Sequence, residues 1–348
     1  MIRKILIVKP SALGDIAIAL PVLASLRKHF PDAKISWLVR SEFAPLLEMT
    51  SGLDEIILFD RKGLGKWWCN RKSFVSLWKF FRQLRAGQFD MVIDLQGLFR
   101  TALFSWITGS KKRFGLKGAR ECAGMFYTDH VEYDENCVHL IDYNNRILKA
   151  ASVTEPVFDF NLHPGRENLE KAEELLADNG CSTDYAVFVI GAAHERKCWP
   201  IEKFASLAEK INSEFGSKIV IVGTGSEKEK AKKLTELANA DIVDLTGKTN
   251  IPVLTALLSK ASMVVSNDTG PGHIACAAGA DLVMIFGPTN PARIYPYSKP
   301  ESVAAVNPFG RGIEISSTKP EYAIDNITVE DVYEKVAAQM SSDTGVLK

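Results

Sequence analysis

Four loops of this chain concentrate residue types that do chemistry. The first is Lys9-Pro10-Ser11-Ala12-Leu13-Gly14-Asp15. Gly14 lets a ligand approach the backbone, and Asp15 sets a carboxylate at the start of a helix, where it can take a proton or serve as a helix cap. The loop lacks the G-x-G-x-x-G spacing of a dinucleotide site. The second is Ser266-Asn267-Asp268-Thr269-Gly270-Pro271-Gly272-His273. Its glycines, threonine hydroxyl and helix N–H groups make an anion site. The plain alternative is a glycine-rich turn capped by Asp268. The third, Gly191-Ala192-Ala193-His194-Glu195-Arg196-Lys197-Cys198-Trp199-Pro200, offers Lys197 as a point charge for a phosphate, or as an ordinary solvated lysine. The fourth, Gly223-Thr224-Gly225-Ser226-Glu227, offers a carboxylate to ribose hydroxyls or to a helix N-terminus. A cation, a carboxylate and backbone donors together suit a nucleoside diphosphate. No D-x-D pair is present to bridge it through magnesium, so Lys197 and helix N-termini are left to stabilise the leaving group.

Such loops need strands to end in and helices to begin from. Apolar runs at 5–8, 35–39, 56–59 and 91–94 read as buried strands, with helical spacing at 15–29, 44–49 and 73–84. The pattern then restarts, with strands at 185–190, 218–223, 241–245, 263–266 and 282–287 and helices at 201–215, 227–238, 252–258 and 272–278. Apolar strands interleaved with helices predict an α/β chain of parallel sheets covered on both faces. Two such series predict two Rossmann-like domains. The turn His163-Pro164-Gly165 sets the boundary, giving 1–163 and 164–348. A final helix at 329–340 leads into a frayed tail at 341–348. In open α/β sheets ligands bind outside the carboxyl ends of the strands, where all four loops fall.

The chain has 348 residues, 46% of them hydrophobic and 24% charged, as in ordinary globular proteins. A formal net charge of zero excludes a polyelectrolyte binder. Residues 1–165 nevertheless hold 23 Lys+Arg against 17 Asp+Glu, and 61–120 hold 14 basic residues against Asp90 and Asp94. That bias points to an anionic partner. The stretch 61–85 adds Trp67, Trp68 and Trp78, which suits a membrane surface or anionic ligand, or a helix packed by its aromatics. No motif supports nucleic acid. Six cysteines without metal or redox spacing read as reduced thiols of a cytoplasmic protein. The apolar run at 5–8 is too short for a signal peptide, and no run of 18 apolar residues spans a membrane.

Five strings taken together carry a resemblance: Lys9 to Asp15, Asp94-Leu95-Gln96-Gly97-Leu98, Lys197-Cys198-Trp199-Pro200, Asn267 to His273, and Phe286-Gly287-Pro288-Thr289. Along nearly its whole length the chain resembles glycosyltransferase family 9, the ADP-heptose:lipopolysaccharide heptosyltransferases. The Asp94 string and the first loop are closer to heptosyltransferase I than to II. The resemblance implies GT-B architecture, with two Rossmann-like domains facing a central cleft. It implies an inverting transferase that needs neither metal nor cofactor beyond its nucleotide-sugar co-substrate. The N-terminal domain would hold an anionic glycolipid acceptor, Kdo-lipid A, and the C-terminal domain ADP-L-glycero-D-manno-heptose. Asp15 matches the family's base and Lys197 its phosphate-contacting lysine. Glu227 matches the ribose contact, and Thr249 falls near the adenine position. Asp268, Thr269, Gly270, Gly272 and His273 match the diphosphate and sugar loop. Ser11, Gly14, Gln96 and Arg120 fall on the acceptor side. Ala192 and Ala193 belong to the donor loop, where members near heptosyltransferase I often have hydroxyl residues. The chain is expected to be a cytoplasmic monomer, with 61–85 as the stretch that would meet the inner face of the inner membrane. Three other readings remain open: heptosyltransferase II or another family 9 transferase with a different donor or acceptor, a nucleotide-sugar epimerase acting without an acceptor, and a non-catalytic nucleotide-binding protein. Asp15 and Lys197 together weigh against the last, which needs neither.

Overall fold

Ile5, Leu6, Ile7 and Val8 are all fully buried, as a central strand covered on both faces requires. The computed structural model describes residues 2–64, 70–117, 120–132, 137–181 and 184–343. Trp67 and Trp68 of the basic stretch, Gly118 and Ala119 before Arg120, and the Arg120 side chain lie outside that description. The chain divides into two compact units, Met1–Asn161 and Leu162–Lys348.

Unit 1 runs β1 (Lys4–Val8), α1 (Leu13–His29), β2 (Lys34–Arg40), α2 (Ala44–Glu48), β3 (Glu55–Phe59), α3 (Arg61–Leu64) and α4 (Arg71–Ala86). It continues with β4 (Met91–Asp94), α5 (Phe99–Ile107), β5 (Lys112–Leu116), a 3-10 segment (Arg120–Phe126), β6 (Asp129–Val131) and α6 (Leu140–Ala150). Its six strands pair in the order β3-β2-β1-β4-β5-β6, every pairing parallel. Unit 2 opens with α7 (Arg166–Asp178), β7 (Tyr185–Val189), α8 (Ile201–Phe215), β8 (Lys218–Val222), α9 (Lys228–Leu237), β9 (Ile242–Asp244) and α10 (Ile251–Lys260). It ends with β10 (Met263–Asn267), α11 (Gly270–Ala277), β11 (Leu282–Ile285), β12 (Val303–Ala304) and α12 (Val329–Asp343). Its order is β12-β11-β10-β7-β8-β9, again all parallel. The two expected parallel sheets are therefore present, and each has the doubly wound order.

That order fixes where chemistry can sit. Each sheet reverses its winding once, between β1 and β4 in unit 1 and between β7 and β10 in unit 2. At such a switch point adjacent loops leave in opposite directions and open a crevice for a ligand. The Lys9–Asp15 and Asp94–Leu98 loops flank the first switch point, and the Gly191–Pro200 and Asp268–His273 loops flank the second.

Some of the elements not expected from the sequence have little to bury, although α5 and α6, also not expected, bury Phe104 and Ile141, Tyr143, Ile147 and Leu148. In β5 only Phe114 and Gly115 are buried, and β6 is a three-residue edge strand. In α7 only Ala172 and Leu176 are. Glu227 ends a 3-10 turn at Gly225–Glu227, one residue before α9, rather than opening the helix itself.

Candidate functional site

In unit 1 the side chain of Lys9 passes under the first loop and is only 9% exposed. Its ammonium lies 3.4 Å from Asp15 Oδ2 and donates to the Leu95 carbonyl at 3.3 Å. The Lys9 carbonyl accepts from the Trp37 indole, which is fully buried. A lysine at the end of a strand ordinarily reaches water. This one is spent on tying the loops after β1 and β4 to Asp15. Asp15 is the third residue of α1, and its Oδ2 also accepts from Ala12 N at 3.4 Å, so the same carboxylate oxygen caps the helix and meets Lys9. Gly14 is buried, and Ser11 is half-buried.

The Asp94 string explains itself as a loop brace. Asp94 is 1% exposed and accepts from Gln96 N at 2.8 Å, Gly97 N at 3.2 Å and the Tyr127 hydroxyl at 2.8 Å. Burial outweighs these donors and pushes its carboxyl up from the usual range. The folded state thus holds a proton at pH values where the unfolded chain has lost it, and stability falls as pH rises through that window. Asp94→Ala should cost about 2–4 kcal/mol, because the Tyr127 hydroxyl and two backbone N–H groups lose their acceptor. Urea denaturation checks this, and the milder Asp94→Asn should also remove the pH slope.

The brace turns Gln96 into a cavity of about 180 Å3 that Ser11 also lines. Arg40, Arg61 and Arg100 supply cations there, and Glu121 the one carboxylate among its described lining. Two buried polar atoms have no hydrogen-bond partner here, Arg40 Nε and Gln96 Oε1. A cation-rich cavity with an unmet donor and an unmet acceptor is built for a polar, anionic ligand.

In unit 2 the fully buried Asn267 holds the switch point together. Its Oδ1 accepts from Trp199 N at 3.0 Å, and its amide donates to the Ile190 carbonyl at 2.9 Å. Both ends of the Gly191–Pro200 loop are therefore tied to the end of β10. Trp199, itself 1% exposed, donates its indole N–H to the Ile327 carbonyl at 2.9 Å. This clamp sets Lys197 Nζ 2.7 Å from Asp268 Oδ2, with the lysine side chain 23% and the aspartate 5% exposed. His273 Nε2 stands 3.6 Å from the other Asp268 oxygen. Burial acts to raise the Asp268 carboxyl, but His273 and Lys197 outweigh it and hold it at about 2. Asp268 caps nothing: Thr269 is the N-cap of α11 and makes no side-chain cap bond. The first turn of α11 then presents Gly270 and Gly272 N–H groups, which no intrahelical bond can use. Gly272 is needed for packing, since a Cβ there would meet Ser266 Oγ at 2.7 Å and Met284 Cε at 3.0 Å.

Glu227 joins the neighbouring loops. It accepts from Thr224 N at 2.6 Å, and a Cβ on Gly191 would meet its Cδ at 2.7 Å. Gly191→Ala should therefore displace the Glu227 carboxylate with little loss of fold stability, which urea denaturation checks. Gly247 N donates to the Gly223 carbonyl at 2.8 Å, which draws in the loop that carries Thr249. Thr249 and Ala192 are half-buried and Ala193 is exposed; with no polar side chain, the alanines leave only backbone groups to offer. Lys197, Asp268 and His273 thus meet directly, Glu227 lies against their loop, and Ser11 with Gln96 and Asp15 with Lys9 form two groups in unit 1. Sequence reasoning missed Lys9 and the clamp role of Asn267. A lysine immediately after four apolar strand residues was the only available signal for the first.

A family model described as glycosyltransferase family 9 (heptosyltransferase) matches residues 77–323. The lipopolysaccharide core heptosyltransferase OpsX of Haemophilus influenzae is 27% identical over 308 residues, covering 87% of this chain and 84% of that protein. Lipopolysaccharide heptosyltransferase 1 of Salmonella typhimurium is 27% identical over 339 residues, covering 96% and 99%. Among solved structures, the glycosyl transferase family 9 protein of Veillonella parvula matches with a TM-score of 0.83 at 24% identity, over 98% of this chain and 97% of that one. At that identity the likeness is one of fold.

Proposed function

We infer the reaction from one premise: this chain belongs to glycosyltransferase family 9 (heptosyltransferase). It transfers a heptose from a nucleoside-diphosphate donor to a hydroxyl of the lipopolysaccharide core. The donor is ADP-L-glycero-D-manno-heptose and the acceptor Kdo-lipid A, the heptosyltransferase I reaction, at the cytoplasmic face of the inner membrane. The observation that carries the reading is the pair between half-buried Lys197 and buried Asp268, 2.7 Å long, at the N-terminus of α11.

Unit 2 holds the donor. Asp268 aims Lys197 at the diphosphate, and the first turn of α11 adds N–H donors, so charge developing on the leaving phosphate meets fixed positive partners. Glu227 accepts from the ribose hydroxyls, and Thr249 lies on the adenine side. His273, Thr269, Gly270 and Gly272 belong to the diphosphate and sugar loop, with Ala192 and Ala193 contributing backbone. Unit 1 holds the acceptor, with Ser11, Gln96 and the arginine-lined cavity taking its anionic sugar and Arg120 on the same side. Asp15 takes the proton of the acceptor hydroxyl as its oxygen attacks the anomeric carbon. The bond from that carbon to the diphosphate oxygen breaks, ADP leaves with the electron pair, and a single displacement inverts the configuration. Lys197 and helix N–H groups do the work that a bridging cation would do, so the reaction proceeds without metal.

The test is incubation with ADP-heptose and Kdo2-lipid A in chelator, with mass spectrometry of the lipid. The expected product carries one added heptose. Conversion of the donor without acceptor would instead make the protein an epimerase. ADP binding without transfer would move the search to other donors and acceptors.

A further inference from the structure

Neither the donor loops nor the base explains the outer face of unit 1 built by α4 and α5. The sequence of α4 has five basic residues and no acid. It buries Phe80 and Leu84, with Leu77 and Phe81 partly covered against the same core. At helical spacing Phe74, Val75, Trp78, Arg82 and Arg85 fall on the arc beside the buried one. Phe74 is 49%, Val75 44% and Trp78 56% exposed. On α5, Trp106 is 55% exposed, and its ring lies 6.2 Å from that of Phe126, next to Met125 at 74%. Between the helices runs a groove of about 680 Å3. Trp78, Phe81 and Trp106 form its apolar wall, and Arg82, Arg85 and Arg113 its cationic one; no carboxylate is among its described lining. Arg82 lies 5.7 Å over the Trp78 ring. The two acids of the 61–120 stretch are spent elsewhere: Asp94 is buried, and Asp90 accepts from Arg3 N at 2.7 Å and Lys4 N at 3.0 Å.

Scattered exposed apolar side chains need no explanation, but a contiguous strip of them does. Aromatic rings alternating with arginines, with no acid among them, match the interface of an anionic bilayer. Indole rings settle at headgroup depth, and the guanidinium groups meet lipid phosphates. A second copy is disfavoured, because a two-fold contact would set these arginines against themselves. We propose that the α4–α5 face docks on an anionic phospholipid surface through Phe74, Trp78, Trp106, Arg82 and Arg85. The inference leans on the glycolipid acceptor only for why a bilayer is at hand.

The experiment is flotation of the full chain with vesicles of phosphatidylcholine alone and of phosphatidylcholine mixed equally with phosphatidylglycerol, without donor or acceptor. The protein floats with the mixed vesicles, stays behind with neutral ones and is released by high salt. Each basic residue near such a surface is worth about fivefold, so Arg82→Gln with Arg85→Gln lowers partitioning about 25-fold. Trp78→Ser with Trp106→Ser also abolishes flotation. Both variants keep their circular dichroism and their turnover on a deacylated, water-soluble acceptor. Binding that is indifferent to lipid charge or to both double variants overturns the proposal. So does a wild-type dimer that Trp78→Ser dissociates, which would make this face a contact between copies. Loss of transfer with intact flotation would strike only the assigned reaction.

Discussion

Replacing Asp15 by alanine lowers turnover by about 10²–10⁴-fold, the contribution typical of a positioned base, and leaves donor binding close to its original strength. The two effects separate because the groups are held by different units. Asp15 and Lys9 belong to unit 1, whereas Lys197, Asp268 and His273 belong to unit 2. The 38% exposure of the Asp15 side chain lets a hydroxyl reach it, and Lys9 fixes it from the buried side at 3.4 Å. Lys9→Met should lower turnover less than Asp15→Ala does, because the carboxylate remains but loses its tether. Its donor affinity should be unchanged. Single-turnover kinetics paired with ADP calorimetry read both quantities. Normal turnover in Asp15→Ala would remove the base assignment, and a matching loss of ADP affinity would make Asp15 a structural residue.

The loops were legible because each packs glycines and polar residues directly after an apolar run, and a strand leading into a helix leaves that position for a ligand. The order of strands was not legible, since periodicity shows which residues are buried but not which strand lies beside which. The pairing of β1 with β4 is what brings Lys9 to Leu95. The pairing of β7 with β10 is what lets Asn267 reach Ile190 and Trp199. Asn267 is the sharpest instance. In sequence it sits among residues suited to a ligand, yet its amide is fully buried and satisfied by backbone groups at the two ends of the loop between β7 and α8. Gly272 is similar: a glycine beside a helix N-terminus suggests room for phosphate, while Ser266 and Met284 already fill the space in front of it. For α4, a packed helix and a surface-binding one predict the same composition. The structure adds that α4 packs through Phe80 and Leu84 while Phe74 and Trp78 stay exposed.

Substitution of Lys197 should strike fold and function together. In Lys197→Met the Asp268 carboxylate, 5% exposed, is left without its 2.7 Å partner. His273 Nε2 still stands 3.6 Å from the other oxygen, so the cost is that of one lost charged partner, about 1–3 kcal/mol. On the proposed donor arrangement, binding should also weaken in this variant, because that reading gives Lys197 the diphosphate. Adding Asp268→Asn removes the stranded charge and should recover much of the stability while turnover stays low. That recovery is what separates an electrostatic role from simple loss of packing. The pH dependence carries a second signature. Asp268 is lowered in the fold, to about 2 from the usual 3.8, so its contribution is complete above the unfolded value and disappears as pH falls through the folded one. The stability gap between wild type and Asp268→Asn is therefore flat from neutrality to roughly pH 4 and closes towards roughly pH 2. Urea midpoints across that range measure it. A gap that closed near neutrality instead would mean that a group other than the Asp268 carboxylate is titrating, and would break the link between this pair and the stability of the donor site.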